Sequence, residues 1–178
     1  MKTSFQLVSE MNVAFGNPKG DPNNIDWNHV RRQFKNIGHE FCELLTALGL
    51  NAACVENILG SIDRNTNPEQ FTEDINLEQV RDSSRDVVVF ADGGHHLMGI
   101  DGDRDMQAVI DGVMTRFVKD QADLDATIEK HAKAGVLEVY TEGSFPTMIV
   151  KSAADQPDAP KGKFLKSASY KQSQFYAV

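Results

Sequence analysis

Phe5, Val8, Met11 and Phe15 recur at helical intervals near the start of the chain, which predicts a short amphipathic helix over residues 3–15. The run Gly16-Asn17-Pro18-Lys19-Gly20-Asp21-Pro22-Asn23-Asn24 then ends it with residues that favour turns. Asp26 stands where the N-cap of a second helix belongs. From Trp27 to about Leu48, the apolar positions Val30, Phe34, Ile37, Phe41, Leu44, Leu45 and Leu48 repeat at three and four, the strongest helical signal in the chain. Residues 49–60 read as a further short helix closed by Gly60, and residues 61–76, with Asn65-Thr66-Asn67-Pro68, read as a polar loop.

The segment from about Leu77 to Met98 carries two signals. Val87-Val88-Val89-Phe90 alone favours a strand, because β-branched side chains suit a sheet. The flanking Glu78, Val80, Asp82, Asp86 and Leu97 fit a helix, and no turn pair isolates the apolar run, so the segment is read as a helix buried on all sides. After the turn Gly99-Ile100-Asp101-Gly102-Asp103, Asp103 is the expected cap of a helix over 104–118, and residues 121–134 form another, stopped at Gly135. Residues 136–140 and 147–150 read as two strands of a hairpin around Glu142-Gly143-Ser144-Phe145-Pro146. Residues 155–178, with Pro157, Pro160 and a lysine series, read as a loop-rich tail folded onto the body. The expected fold is mainly α: a helical bundle with a small C-terminal β-hairpin and a lid-like tail. Residues 1–135 make the helical domain, and 136–178 the hairpin and lysine-rich extension packed on it.

Composition narrows what such a bundle can do. The 178 residues, 40% hydrophobic and 25% charged, suit one globular domain, to which oligomerisation would add core. A formal net charge of −8 argues against a general nucleic-acid binder, which needs a basic stripe. It leaves room for a nucleotide whose charge a metal ion neutralises. Cys42 and Cys54 make no disulfide framework and are expected as reduced, buried thiols. The amphipathic N-terminus resembles no signal peptide, and no stretch reaches the ~20 apolar residues of a membrane span. A cytoplasmic protein with no membrane partner is the expectation.

Two acidic pairs carry the chemistry. Glu40 and Glu43 are three apart on one helix, and Asp82 and Asp86 four apart on another, so each pair shares a helix face. Two such pairs on packed helices would form an oxygen-rich cage of the kind Mg²⁺ accepts, the remaining ligands being waters and phosphate oxygens. A solvated acidic face is the plainer alternative. His95-His96 points to no metal site, since adjacent helical residues diverge by ~100°. Asp101-x-Asp103-x-Asp105 lacks the glycine and closing glutamate of a calcium loop, having Met106 and Gly112 there.

In order along the chain, these residues resemble the MazG-like nucleoside triphosphate pyrophosphohydrolases, in particular their phage type. That family carries Glu-x-x-Glu on one helix and acidic residues on the next, often Asp-x-x-x-Asp, an apolar run, then spaced glycines ending in Gly-Ile-Asp. Here the match is Asp82-Ser83-Ser84-Arg85-Asp86 followed by Val87-Val88-Val89-Phe90, Gly94 and Gly99-Ile100-Asp101. Trp27 and Gln33 ahead of the glutamates, and Pro160-Lys161-Gly162-Lys163-Phe164-Leu165-Lys166 near the end, extend the likeness intermittently from about residue 5 to 170. The chain departs from the family in three places. Ser83 stands where an acidic residue is common, residues 49–76 look inserted, and Val113 replaces an asparagine ahead of Thr115-Arg116-Phe117.

The resemblance implies an all-α pyrophosphatase-like bundle that hydrolyses a (deoxy)nucleoside triphosphate, a purine one such as dGTP or dATP, to the monophosphate and pyrophosphate. It implies Glu40, Glu43, Asp82 and Asp86 as ligands of two or more Mg²⁺ or Mn²⁺, one of them, Glu43 by preference, doubling as general base. Arg116, Lys161, Lys163 and Lys166 become phosphate contacts, against the alternative of solubilising charge. Asn12, Phe15, Trp27 and Gln33 are candidates to hold the base, Trp27 having ordinary core as its alternative. A homodimer or homotetramer is implied as well. Rival readings are a phosphoribosyl-ATP pyrophosphohydrolase-like or dUTPase-like activity, a nucleotide sensor without turnover, and a non-catalytic helical oligomerisation module.

Overall fold

A computed structural model describes residues 2–72 and 74–177. Among them are six α-helices and a three-stranded antiparallel sheet, so the protein is mainly helical with a small sheet. The chain divides into two compact units, Gly20–Arg85 and a second made of Met1–Lys19 with Asp86–Val178.

Unit Gly20–Arg85 holds α2 (Trp27–Ala47), α3 (Ala52–Asn65), one 3-10 turn at Pro68–Gln70 and the first part of α4 (Leu77–Met98). As expected, Asp26 caps α2, its carboxylate accepting from the amide of His29 at 2.9 Å. α3 continues five residues beyond Gly60, where the sequence predicts its end. The extension brings Ile62 against Gly38 of α2. A Cβ at Gly38 would lie 3.1 Å from Ile62 Cδ1, so the absence of a side chain there lets the helices approach closely. Val55, Ile58, Leu59 and Ile62 form the half-buried stripe of α3. Cys54 lies off that stripe and is exposed, contrary to expectation, whereas Cys42 is buried; both are free thiols.

Across the α2–α3 pair, Asp63 accepts from Lys35 and His39, each at 3.0 Å. Those hydrogen bonds, Lys35 first and His39 second, hold the Asp63 carboxyl below its ordinary pKa. A carboxyl whose pKa is lower folded than unfolded adds stability that is complete above the unfolded value. That stability is lost as pH falls through the lowered folded value. Acid titration of the helical signal should therefore show Asp63→Asn losing part of the acid-dependent drop, while the two proteins differ by a constant amount at neutral pH.

The other unit begins with α1 (Ser4–Ala14), started by a capping box in which Thr3 Oγ1 accepts from the Gln6 amide and Gln6 Oε1 from the Thr3 amide. α1 packs on α5 (Gly102–Met114). The N-cap of α5 is Asp101, two residues before the Asp103 predicted, because the chain already turns at Gly99, where the Ile100 amide returns to the His95 carbonyl. The helix also stops four residues short of the expected 118. α6 (Gln121–Lys133) follows, ending before Gly135 as expected.

The hairpin exists with shifted strands: β1 (Val139–Glu142) pairs antiparallel with β2 (Ile149–Ser152), Tyr140 opposite Lys151. A third strand that the pattern did not signal, β3 (Phe164–Leu165), completes the sheet on the far side of β2. Val118, Val136, Val150, Ala159 and Leu165 form the buried core here. Phe15, Phe117 and Phe164 stack beside it, Phe15 and Phe117 having ring centroids 4.6 Å apart.

The tail folds back as expected, though polar groups anchor it. Asp123 and Thr127, both buried and one turn apart on α6, receive it: the carboxylate of Asp123 accepts from Ser169 N and Oγ, and Thr127 Oγ1 accepts from the amide of Ala168. Further along the same helix, Lys130 and His131 donate to the carbonyls of Ser167 and Lys166. Beyond that point Ser173 lies on Gly112, where a Cβ would come within 2.9 Å of the Ser173 amide nitrogen. Tyr176 ends the strap, its hydroxyl accepting from the Asp101 amide at 2.7 Å while Arg104 covers the ring.

Candidate functional site

α2 places Glu40 and Glu43 on its exposed side, flanking buried Cys42, in unit Gly20–Arg85. Asp82 lies in the same unit on α4, and Asp86, also exposed and on α4, begins the second segment of the other. None of the four carboxylates has an ion pair or hydrogen-bond partner among the described residues. Four other acids are answered by a lysine, Glu10 by Lys2, Asp63 by Lys35, Glu129 by Lys133 and Glu142 by Lys151, while most of the remaining described acids have no lysine partner. The four acids are hard oxygen donors, the chemistry that Mg²⁺ and Mn²⁺ take, and no cation among the described residues pairs with them. Among the described residues, no group of three or more His, Cys, Asp or Glu side chains gathers closely enough to hold a metal ion.

The basic residues separate into two kinds. Arg116 and Lys166 are brought together: the Ser167 amide donates to the Arg116 carbonyl at 3.0 Å, which puts the two cationic residues on adjoining backbone segments. Both approach the ring of Tyr170, Arg116 Cζ at 5.9 Å and Lys166 Nζ at 4.3 Å from its centroid. Lys163 instead donates to the carbonyl of Asp158, and the amide of Lys161 donates to Asp155. Tyr170 was not singled out by the sequence, since a lone aromatic in a polar tail has no periodicity to mark it.

The base-holding candidates are divided in the same way. Asn12 and Phe15 sit on or next to α1, where the Asn12 amide donates to the Val8 carbonyl of its own helix and Phe15 is committed to the aromatic cluster. Trp27, half-buried, and Gln33, exposed, belong to α2 in the other unit. His95 is satisfied locally, its Nδ1 donating to the Ala91 carbonyl with Nε2 facing Asp105 at 3.8 Å.

Large apolar side chains remain uncovered on the helices that carry the acids. Phe41 and Leu44 of α2 and Leu48 at its C-cap are all more than half exposed. The run Val87-Val88-Val89-Phe90 is helical, as the flanks predict, but not buried: Phe90 is 79% exposed. The expectation of a helix covered on all sides within one chain is thereby corrected. No helix is long and apolar enough to cross a membrane among the residues described. Comparison of the chain with family models, with curated proteins and with solved structures gives no match in any of the three.

Proposed function

We propose that this protein is a divalent-metal-dependent pyrophosphohydrolase of (deoxy)nucleoside triphosphates, acting on a purine nucleotide. The observation that carries the reading is the set of four exposed carboxylates, paired at helical spacing on α2 and α4, none of which has a cation partner among the described residues. Glu40, Glu43, Asp82 and Asp86 are the proposed ligands of two or more Mg²⁺ or Mn²⁺. Bound metal would neutralise the triphosphate and make a water more acidic. Glu43 would take the proton from that water as it attacks the α-phosphorus. The bond to the bridging oxygen breaks, releasing the monophosphate and pyrophosphate. Arg116 and Lys166, with Lys161 and Lys163, would hold the phosphates, and Asn12, Phe15, Trp27 and Gln33 the base.

A second copy of the chain fits the same reading. The uncovered apolar faces of α2 and α4 exceed what isolated surface residues need, and contiguous exposed patches of this kind mark association surfaces. A homodimer or homotetramer would cover them. Pyrophosphate release over a panel of the eight common (deoxy)nucleoside triphosphates, with and without Mg²⁺, tests the proposal. Metal-dependent release from at least one purine nucleotide supports it, and silence across the whole panel overturns it.

A further inference from the structure

Arg116 and Lys166 pose a physical problem. Two like charges sit beside one aromatic ring, and neither has a carboxylate partner among the described residues, although the chain carries an excess of acids. Arg116 Nε is moreover buried without a hydrogen-bond acceptor, alone among the described buried side-chain nitrogens and oxygens. A buried donor on a charged group is costly to leave unmade, and the Nε–H adds to the unmet hydrogen-bonding demand of this guanidinium. The negative face of the Tyr170 ring offsets part of the repulsion between the cations, and an anion bound beside them would remove the rest.

The backbone that carries the ring is held on both sides. On one side Ser169 donates its amide and hydroxyl to buried Asp123, the hydroxyl at 2.9 Å. On the other, the Lys171 amide donates to Thr115 Oγ1 at 2.9 Å, and Thr115 Oγ1 lies one residue before Arg116. The segment that presents Tyr170 is therefore fastened to α6 and to the residue adjoining one of the cations it faces. Nothing about this fastening depends on a metal.

We infer that Arg116, Lys166 and Tyr170 form a preformed, metal-independent site for a diphosphate group, with Tyr170 as the positioning residue that sets the spacing of the two cations. The inference rests on the nucleotide reading above for its natural ligand, the terminal phosphates of the triphosphate or the pyrophosphate released. Arginine supplies a planar fork suited to two phosphate oxygens, and lysine a point charge beside it.

The test is calorimetric titration of the full chain with inorganic pyrophosphate in buffer free of divalent cations. Saturable binding is expected for the natural protein. Tyr170→Leu should weaken it about tenfold, Tyr170→Phe, which keeps the ring face, less than about threefold. Lys166→Gln, at an exposed position, should weaken it at least as much as Tyr170→Leu without altering the melting temperature, and so guards against a folding defect in the leucine variant. Lys19→Gln removes the same charge at an exposed position with no part in the proposed site and should change affinity less than about twofold. Equal losses in Lys19→Gln and Lys166→Gln, unchanged binding in Tyr170→Leu, or no saturable binding would each overturn the inference. In turnover with the triphosphate, Tyr170→Leu should raise KM with kcat retained. Pyrophosphate binding by a protein that hydrolyses nothing would sink the enzymatic reading and leave this site standing; hydrolysis without it would do the reverse.

Discussion

Glu43→Gln is expected to lower pyrophosphate release by a factor of about 10³, the scale associated with losing a positioned proton acceptor. The substitution keeps the size and the hydrogen-bonding reach of the side chain while removing its charge. Because Glu43 is exposed and unpaired among the described residues, the fold should be indifferent to the change, with stability within about 0.5 kcal/mol. Metal should reveal the difference. A ligand that binds only the folded protein stabilises it by about 2.7 kcal/mol at a hundred times its Kd. Saturating Mn²⁺ should then raise the melting temperature of the natural protein and do little for the variant. A variant that stays active, or whose metal response equals the parent's, would remove Glu43 from the proposed site.

Asp123→Ala is expected to have the largest effect on stability. The carboxylate is buried and accepts from the Lys119 amide, the Ser169 amide and the Ser169 hydroxyl. Alanine leaves those donors without an acceptor, at a cost of about 3 kcal/mol. In a chain of this size that is roughly 10 °C in melting temperature. The loss should be unevenly distributed. Amide hydrogen exchange should accelerate most over residues 166–171, which Asp123 and its neighbour Thr127 hold to α6, and least in α2 and α3. Uniform acceleration, or a change in melting temperature below about 2 °C, would show that the strap is held by other means.

The strongly periodic elements were legible in the chain itself. α2 appears at its expected position with its expected cap, and α4 matches its expected ends although four consecutive β-branched or aromatic residues argued for a strand. Its flanks decided the matter, since polar residues at helical spacing cannot alternate about a sheet. What periodicity could not supply was the identity of the covering surface. It marks Phe90 as apolar without saying whether this chain or another copy buries it. Gly60 failed as a helix end because Ile62, packed at the gap left by Gly38, rewards continuation of α3.

Polar architecture was the least legible part. Asp123 reads as an ordinary acid in the first turn of a helix, and only a partner 46 residues away reveals it as buried. Sequence separation also hides the approach of Tyr170 to Arg116, which follows from where the strap lies. The acidic pairs were recognisable from spacing, as residues sharing a helix face; convergence on one ion is a statement about tertiary placement, which spacing does not contain.

Paramagnetic Mn²⁺ tests that convergence most directly. With Glu and Asp side-chain carboxyls labelled and assigned in the natural protein, a substoichiometric titration should broaden Glu40, Glu43, Asp82 and Asp86 together, ahead of every other acid in the chain. Broadening confined to one helix, or spread over the acidic surface without preference for these four, would contradict a shared metal centre and the hydrolytic function proposed from it.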